Sequence, residues 1–117
     1  MANRMQKVFE MPVADVYPHY VTKLERKGHT TDELMQVMRW LTGYTDEQLE
    51  QVLAERTSFQ DFFAGATLNP NASKITGVIC GMRVEEIEDP LTQQIRYLDK
   101  LVDEVYNGKA MEKVLRP

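Results

Sequence analysis

Four carboxylates crowd into five positions of the stretch RVEEIEDP, Arg83 to Pro90: Glu85, Glu86, Glu88 and Asp89. On a continuous helix Glu85, Glu88 and Asp89 would share one face at i, i+3 and i+4. Clustered oxygens of that kind suit a hard cation such as Mg²⁺ or Ca²⁺. The stretch lacks the spaced ligands of a calcium loop, however, and Pro90 interrupts any helix running through it. Acids just ahead of a helix also favour its positive end, by roughly 0.3–1 kcal/mol each, and Asp89 is placed to cap one. The capping reading accounts for more of the stretch, so no metal ligand is assigned.

Cys80 stands between Ile79 and Gly81 in an apolar run. A nucleophilic cysteine needs a nearby cation or helix N-terminus and usually a base such as His. Only His19 and His29 are available, and the sequence does not show whether either approaches Cys80 in space. A buried, inert thiol is the expectation. Ten positions separate the two histidines, which is no helical ligand spacing, and no Cys or acid spacing completes a zinc set.

In RWLTGY, Trp40 and Tyr44 could stack on a flat molecule while Arg39 reaches an anion. The competing and expected reading is core packing at a helix end closed by Gly43. Arg83 and Arg96, the latter next to Tyr97, have carboxylates close enough in sequence to be taken up by structural ion pairs. The candidate ligand-binding residues are therefore Arg39, Trp40, Tyr44, Arg83, Glu85, Glu88 and Arg96. No catalytic constellation or cofactor motif is recognisable among them.

Elements must position these residues, and their periodicity reads as helix. Tyr17, Tyr20, Val21 and Leu24 recur at i, i+3, i+4 and i+7. Asp15 is the expected N-cap there, with Pro18 in the first turn and Gly28 as the left-handed stop. Thr30 and Glu33 have capping-box spacing ahead of the stripe Leu34, Val37, Met38 and Leu41. Met35 and Trp40 widen that stripe, which suits a central helix or one shared with a partner. Thr45 and Gln48 repeat the box before Leu49, Val52 and Leu53. SFQDFFAGA adds a short turn anchored by Phe59, Phe62 and Phe63, and NPNAS is turn chemistry.

Residues 74–82, KITGVICGM, fit either period. Ile75, Val78, Ile79 and Met82 have helical spacing, while Ile75, Gly77, Ile79 and Gly81 alternate as on a strand. A short buried helix capped by Asn71 or Ser73 is favoured, because no second strand is evident to pair with. The longest helix, about residues 90–107, starts at Asp89 and Pro90 and stops at Gly108. Its inward stripe is Leu91, Ile95, Leu98, Val102 and Val105. Outward, Lys100 can meet Asp103 and Glu104, and Arg96 can meet Asp99. KAMEKVLR then docks a short terminal helix through Met111, Val114 and Leu115. The expected fold is all-α: a compact orthogonal bundle of about six short helices around one longer helix, forming a single domain over residues 1–117.

Composition bounds the rest. The chain has 117 residues, 43% apolar and 27% charged, within the range of ordinary globular domains. One cysteine excludes an internal disulfide. MANRMQKVFEMP lacks the apolar core of a signal peptide, and no run of about 18 apolar residues offers a membrane span. The expectation is a soluble cytoplasmic protein without membrane contact. Residues 1–29 carry five basic and three acidic groups, but residues 30–66 carry two and seven. That acidic middle would repel a phosphate backbone. A helix-turn-helix over Thr31–Arg56 would present Asp46, Glu47, Glu50 and Glu55 to DNA, the wrong sign for a groove. Nucleic acid is not an expected partner.

Several strings are distinctive in this order: VYPHYV, ERKG, RWLTGY, NPNAS, GVICGMRVEEIEDPL and IRYLDKLVDE. Together, from about Val8 to Arg116, the chain resembles the bacterial family catalogued as domain of unknown function 2200. The resemblance implies a small, single-domain, largely helical protein and carries no activity, cofactor or catalytic residue. The residues themselves favour a non-enzymatic binding or protein-interaction module, motivated by the wide apolar face of Met35, Trp40 and Leu41. Self-association is its simplest form. The alternative is a small-molecule or metal-dependent activity centred on RVEEIEDP with Cys80, Arg39 and Trp40. It requires those residues to converge on one pocket.

Overall fold

The computed structural model describes residues 4–117, with side chains from residue 6 onward. The first three residues of the N-terminal stretch read above lie outside it. The chain runs through α1 (Arg4–Glu10), α2 (Val13–Glu25), α3 (Thr31–Thr42), α4 (Asp46–Ala54) and α5 (Phe59–Ala64). After a 3-10 turn (Pro70–Lys74) come β1 (Val78–Ile79), β2 (Met82–Arg83), a second 3-10 turn (Val84–Glu86), α6 (Pro90–Tyr106) and α7 (Met111–Val114). It is a mostly helical, compact bundle with one small hairpin.

Local chemistry sets most helix ends. Thr30 with Glu33 and Thr45 with Gln48 both form complete capping boxes, each satisfying two otherwise orphaned backbone donors. Ser58 caps α5, and Asp89 caps α6 with Pro90 at the first helical position. Gly43 ends α3 at φ +75°, and a Cβ there would also meet the Thr67 carbonyl oxygen at 3.1 Å. Glycine is required twice over at that position.

The start of α2 departs from expectation. It begins at Val13 behind Pro12, because the Val13 N–H donates to the Thr57 carbonyl and the Phe59 N–H to that of Met11. These bonds stitch the α1–α2 corner to the α4–α5 loop, so tertiary pairing and not an Asp15 cap fixes the helix start. Asp15 instead forms an ion pair with Arg56 at 2.9 Å. Pro18 consequently falls in the second turn, where its missing N–H removes the bond to the Ala14 carbonyl.

Helix α6 lies at the centre of the bundle, packed on α2, α3, α5, α7, β1 and the turn before it. Ile95, Leu98, Leu101, Val102 and Val105 are at most 2% exposed, and α3 meets them with Leu34, Val37, Met38 and Leu41. Fully burying an aliphatic side chain stabilises by about 1.5–3 kcal/mol, so this seam dominates the fold. Polar contacts fix its register. The Tyr20 hydroxyl donates to Asp99 at 2.5 Å, and Lys23 pairs with Asp103 at 3.3 Å. Buried Glu104 receives both guanidinium nitrogens of Arg116 at 2.6 and 2.7 Å, and Lys109 at 3.5 Å. The expected Lys100 pairs with Asp103 and Glu104 are therefore absent: both acids are engaged elsewhere, and Lys100 reaches the Val78 carbonyl at 3.4 Å.

The favoured helix over residues 74–82 is overturned. Val78 pairs with Arg83 and Ile79 with Met82 in an antiparallel hairpin. Gly77, Cys80 and Gly81 have φ of +111°, +51° and +77°, which no right-handed helix can hold. Positive φ at both residues of the two-residue Cys80–Gly81 loop marks a type I′ turn, whose twist suits a hairpin. The partner strand begins at Met82, the last of the same nine residues, and runs into Arg83. Helix α6 packs on β1 and supplies the support that an isolated hairpin lacks.

Candidate functional site

The seven candidate residues divide into two groups that the fold keeps apart. Arg39, Trp40 and Tyr44 sit at the α3–α4 junction. The Arg39 guanidinium is held by Asp46, across the turn between the two helices. The Tyr44 hydroxyl donates to the Phe62 carbonyl at 2.7 Å, and its ring stacks on that of Phe62 with centroids 5.2 Å apart. Burial raises the Tyr44 phenol above its ordinary pKa. Gly65 makes room for this contact, since a Cβ there would lie 2.7 Å from the hydroxyl oxygen. Trp40 is half-buried against the core, and its carbonyl accepts the Asn69 side-chain amide at 3.2 Å. The candidate stacking wall is a packed corner, with its rings set against the core.

Met35 and Leu41 follow the same logic. Leu41 is fully buried and Met35 packs against the core, so the wide apolar face of α3 is taken up by a central helix.

Arg83, Glu85, Glu88 and Arg96 gather around the hairpin, but the acids do not converge. The chain leaves β2 in a 3-10 turn and an extended linker, so the i, i+3, i+4 face never forms. Glu85 bends back to accept the Gly77 N–H at 3.0 Å and to pair with Arg83 at 3.7 Å. The Gly77 N–H first, and Arg83 after it, hold the Glu85 carboxyl below its ordinary pKa. Asp89 accepts the Thr92 hydroxyl and backbone N–H, which likewise lowers it. Of the four acids, Glu86 and Glu88 are the two with neither an ion pair nor a side-chain hydrogen bond among the described residues. No three His, Cys, Asp or Glu side chains come together as a metal set among those residues.

Cys80 corrects the sequence reading most sharply. It is exposed at the hairpin tip, because the stretch turns there instead of continuing as a buried helix. Its sulfur lies 3.5 Å from Arg96 Nη1, and the same nitrogen donates to Asp99 at 2.8 Å. Asp99 thus joins Arg96 to the buried Tyr20 hydroxyl, which burial and then the Asp99 charge push well above its ordinary pKa. His29 pairs with Glu33 at 3.3 Å.

Beside the hairpin opens a shallow cleft of about 660 Å³, lined by Val78, Gly81, Met82, Arg83, Glu86, Ile87 and Glu88. Val78 is 56% exposed and Met82 39%, two of the three large hydrophobic side chains exposed among the described residues. Sequence reasoning found Arg83 and Glu88 but missed Val78, Gly81, Met82, Glu86 and Ile87 as a surface. The missed signal was the Cys80–Gly81 dipeptide between Val78–Ile79 and Met82–Arg83, which is hairpin chemistry once a positive φ is allowed at Cys80. None of Arg39, Trp40 and Tyr44 lines this cleft.

These features define a small, mostly helical protein with a short hairpin beside an open cleft. The chain belongs to the family described as "Uncharacterized protein conserved in bacteria (DUF2200)", whose model matches residues 7–116. It is similar to the crystal structure of uncharacterized protein SP1917, at 45% sequence identity and a TM-score of 0.89, over 97% of this chain and 94% of that one. No curated protein matches it. Among the described residues no helix is long and apolar enough to cross a membrane.

Proposed function

We propose that the chain is a non-enzymatic protein-interaction module, a single domain working in the cytoplasm, whose contact surface is the β1–β2 hairpin and the cleft beside it. The observation that carries this reading is the exposure of Val78 and Met82, both lining the cleft, on a hairpin otherwise braced by α6. Burying them in the fold would have stabilised it, and interface cores are enriched in such side chains, methionine especially. The rival activity centred on RVEEIEDP has no comparable support, since Glu85 and Asp89 are committed to backbone donors and Arg39 and Trp40 lie in another corner.

The test compares the wild type with a Val78→Ser, Met82→Ser double variant by light scattering over a wide concentration range and by affinity capture from bacterial lysate. The wild type is expected to associate with itself or retain partners that the variant loses. A strict monomer whose captured proteins match those of the variant would overturn the reading.

A further inference from the structure

We infer that the hairpin cleft takes a segment of another protein in which a large apolar side chain is flanked by lysine or arginine, and not a second copy of this chain. This rests on the reading of the cleft as an interaction surface and names what it fits. Val78, Met82 and Ile87 are the apolar residues lining the cleft, and Glu86 and Glu88 line it with carboxylates that no cation answers among the described residues. Arg83 does not neutralise them, because Glu85 faces its guanidinium at 3.7 Å. The stretch from Arg83 to Asp89 holds one cation and four carboxylates, and even with Lys100 at the Val78 carbonyl and the Arg96–Asp99 pair counted in, the charge around the cleft stays acidic. Interfaces select partners by complementary potential and suppress like-charged ones. A twofold contact would set this acidic stretch against its own copy, in a chain that already carries a net charge of −4. A basic segment meets the opposite field, and its apolar side chain meets the cleft's apolar lining.

The experiment uses the full chain and three dye-labelled, acetylated heptapeptides read by fluorescence anisotropy. The first is Lys-Lys-Leu-Lys-Leu-Lys-Lys; the second replaces every lysine by glutamate, and the third every leucine by serine. The first peptide is expected to bind, and the other two to bind at least tenfold more weakly. Glu86→Gln with Glu88→Gln is expected to weaken binding about fivefold or more, as two ion pairs of ordinary strength would. Val78→Ser with Met82→Ser is expected to weaken it at least as much, with an unchanged melting temperature. Glu47→Gln with Glu50→Gln, on the exposed face of α4, is expected to leave it unchanged. The inference is overturned if the first peptide fails to bind below about 1 mM, if the glutamate peptide binds equally, or if the α4 variant loses as much as the cleft variant. Sedimentation of the same samples separates the two levels. A dimer abolished by Val78→Ser with Met82→Ser would keep the interaction reading and replace the basic segment by a second copy. If sedimentation, peptide binding and lysate capture are all insensitive to the cleft substitutions, both readings fall.

Discussion

The α3–α4 junction and the β1–β2 hairpin are built from similar materials, arginine and acid beside large apolar side chains, yet only one of them leaves anything open. At the junction Arg39 is answered by Asp46, the Tyr44 hydroxyl by a main-chain carbonyl, and both rings by packing. At the hairpin Glu85 and Asp89 are answered by backbone donors, whereas Glu86, Glu88, Val78 and Met82 are not answered by the chain itself. Residue type is therefore a poor guide to function here. What separates the two regions is whether the neighbouring main chain has already satisfied the side chains.

Substitutions can break that contrast. The largest effect is expected from Phe62→Ala, which empties a fully buried position beneath Tyr44 and should cost about 3–5 kcal/mol in urea unfolding. Tyr44→Phe keeps the stack but leaves the Phe62 carbonyl without its donor, for about 1 kcal/mol in the same assay. A loss no greater than that of exposed substitutions would mean that the junction is looser than its contacts indicate. Cys80→Asn should run the other way, stabilising by a few tenths to about 1 kcal/mol, since Asn–Gly suits a type I′ turn and Cys80 occupies its positive-φ position. Destabilisation instead would assign real weight to the Arg96 contact with the Cys80 sulfur.

A pH series followed by amide exchange should sharpen the contrast further. The Glu85 carboxyl is lowered in the fold, so its contribution is fully present above its ordinary pKa of 4.5 and is lost as pH falls through the lowered value. The Tyr44 phenol is raised, so its contribution is intact below pH 10 and is lost as pH rises through the raised value. Acid is expected to loosen the hairpin first and alkali the junction first. Glu85→Gln should flatten the acid limb at Gly77 and leave the alkaline limb unchanged. Identical loosening of both regions at both extremes would dissolve the distinction.

Much of the helical frame was legible in the sequence, because caps and stripes are local devices. Thr30 with Glu33, Thr45 with Gln48, Asp89 with Pro90, and Gly43 each fix an end through bonds within a few residues. The errors fell where distant chain decides. Asp15 lost its cap role to Thr57, and Lys100 lost its helical partners to Lys23 and Arg116. Of the site, Arg83 and Glu88 were legible as charges, and Arg96 with Asp99 as a pair. The hairpin itself was not, because a cysteine at positive φ is uncommon and the burial of Ile75 imitates the start of a helical stripe.

The bond from Tyr20 to Asp99 also sets a clock. Seventy-nine positions separate the two residues. At roughly 5–20 residues per second, a ribosome needs on the order of 4–16 s to make the acceptor after it has made the donor. During that interval α2 has no α6 to dock against, and Tyr20 and Leu24 face solvent or whatever protects a nascent chain. The protein is therefore most exposed to proteases and to misassociation before its longest helix is made, and early termination anywhere before α6 leaves a fragment without the centre of its core.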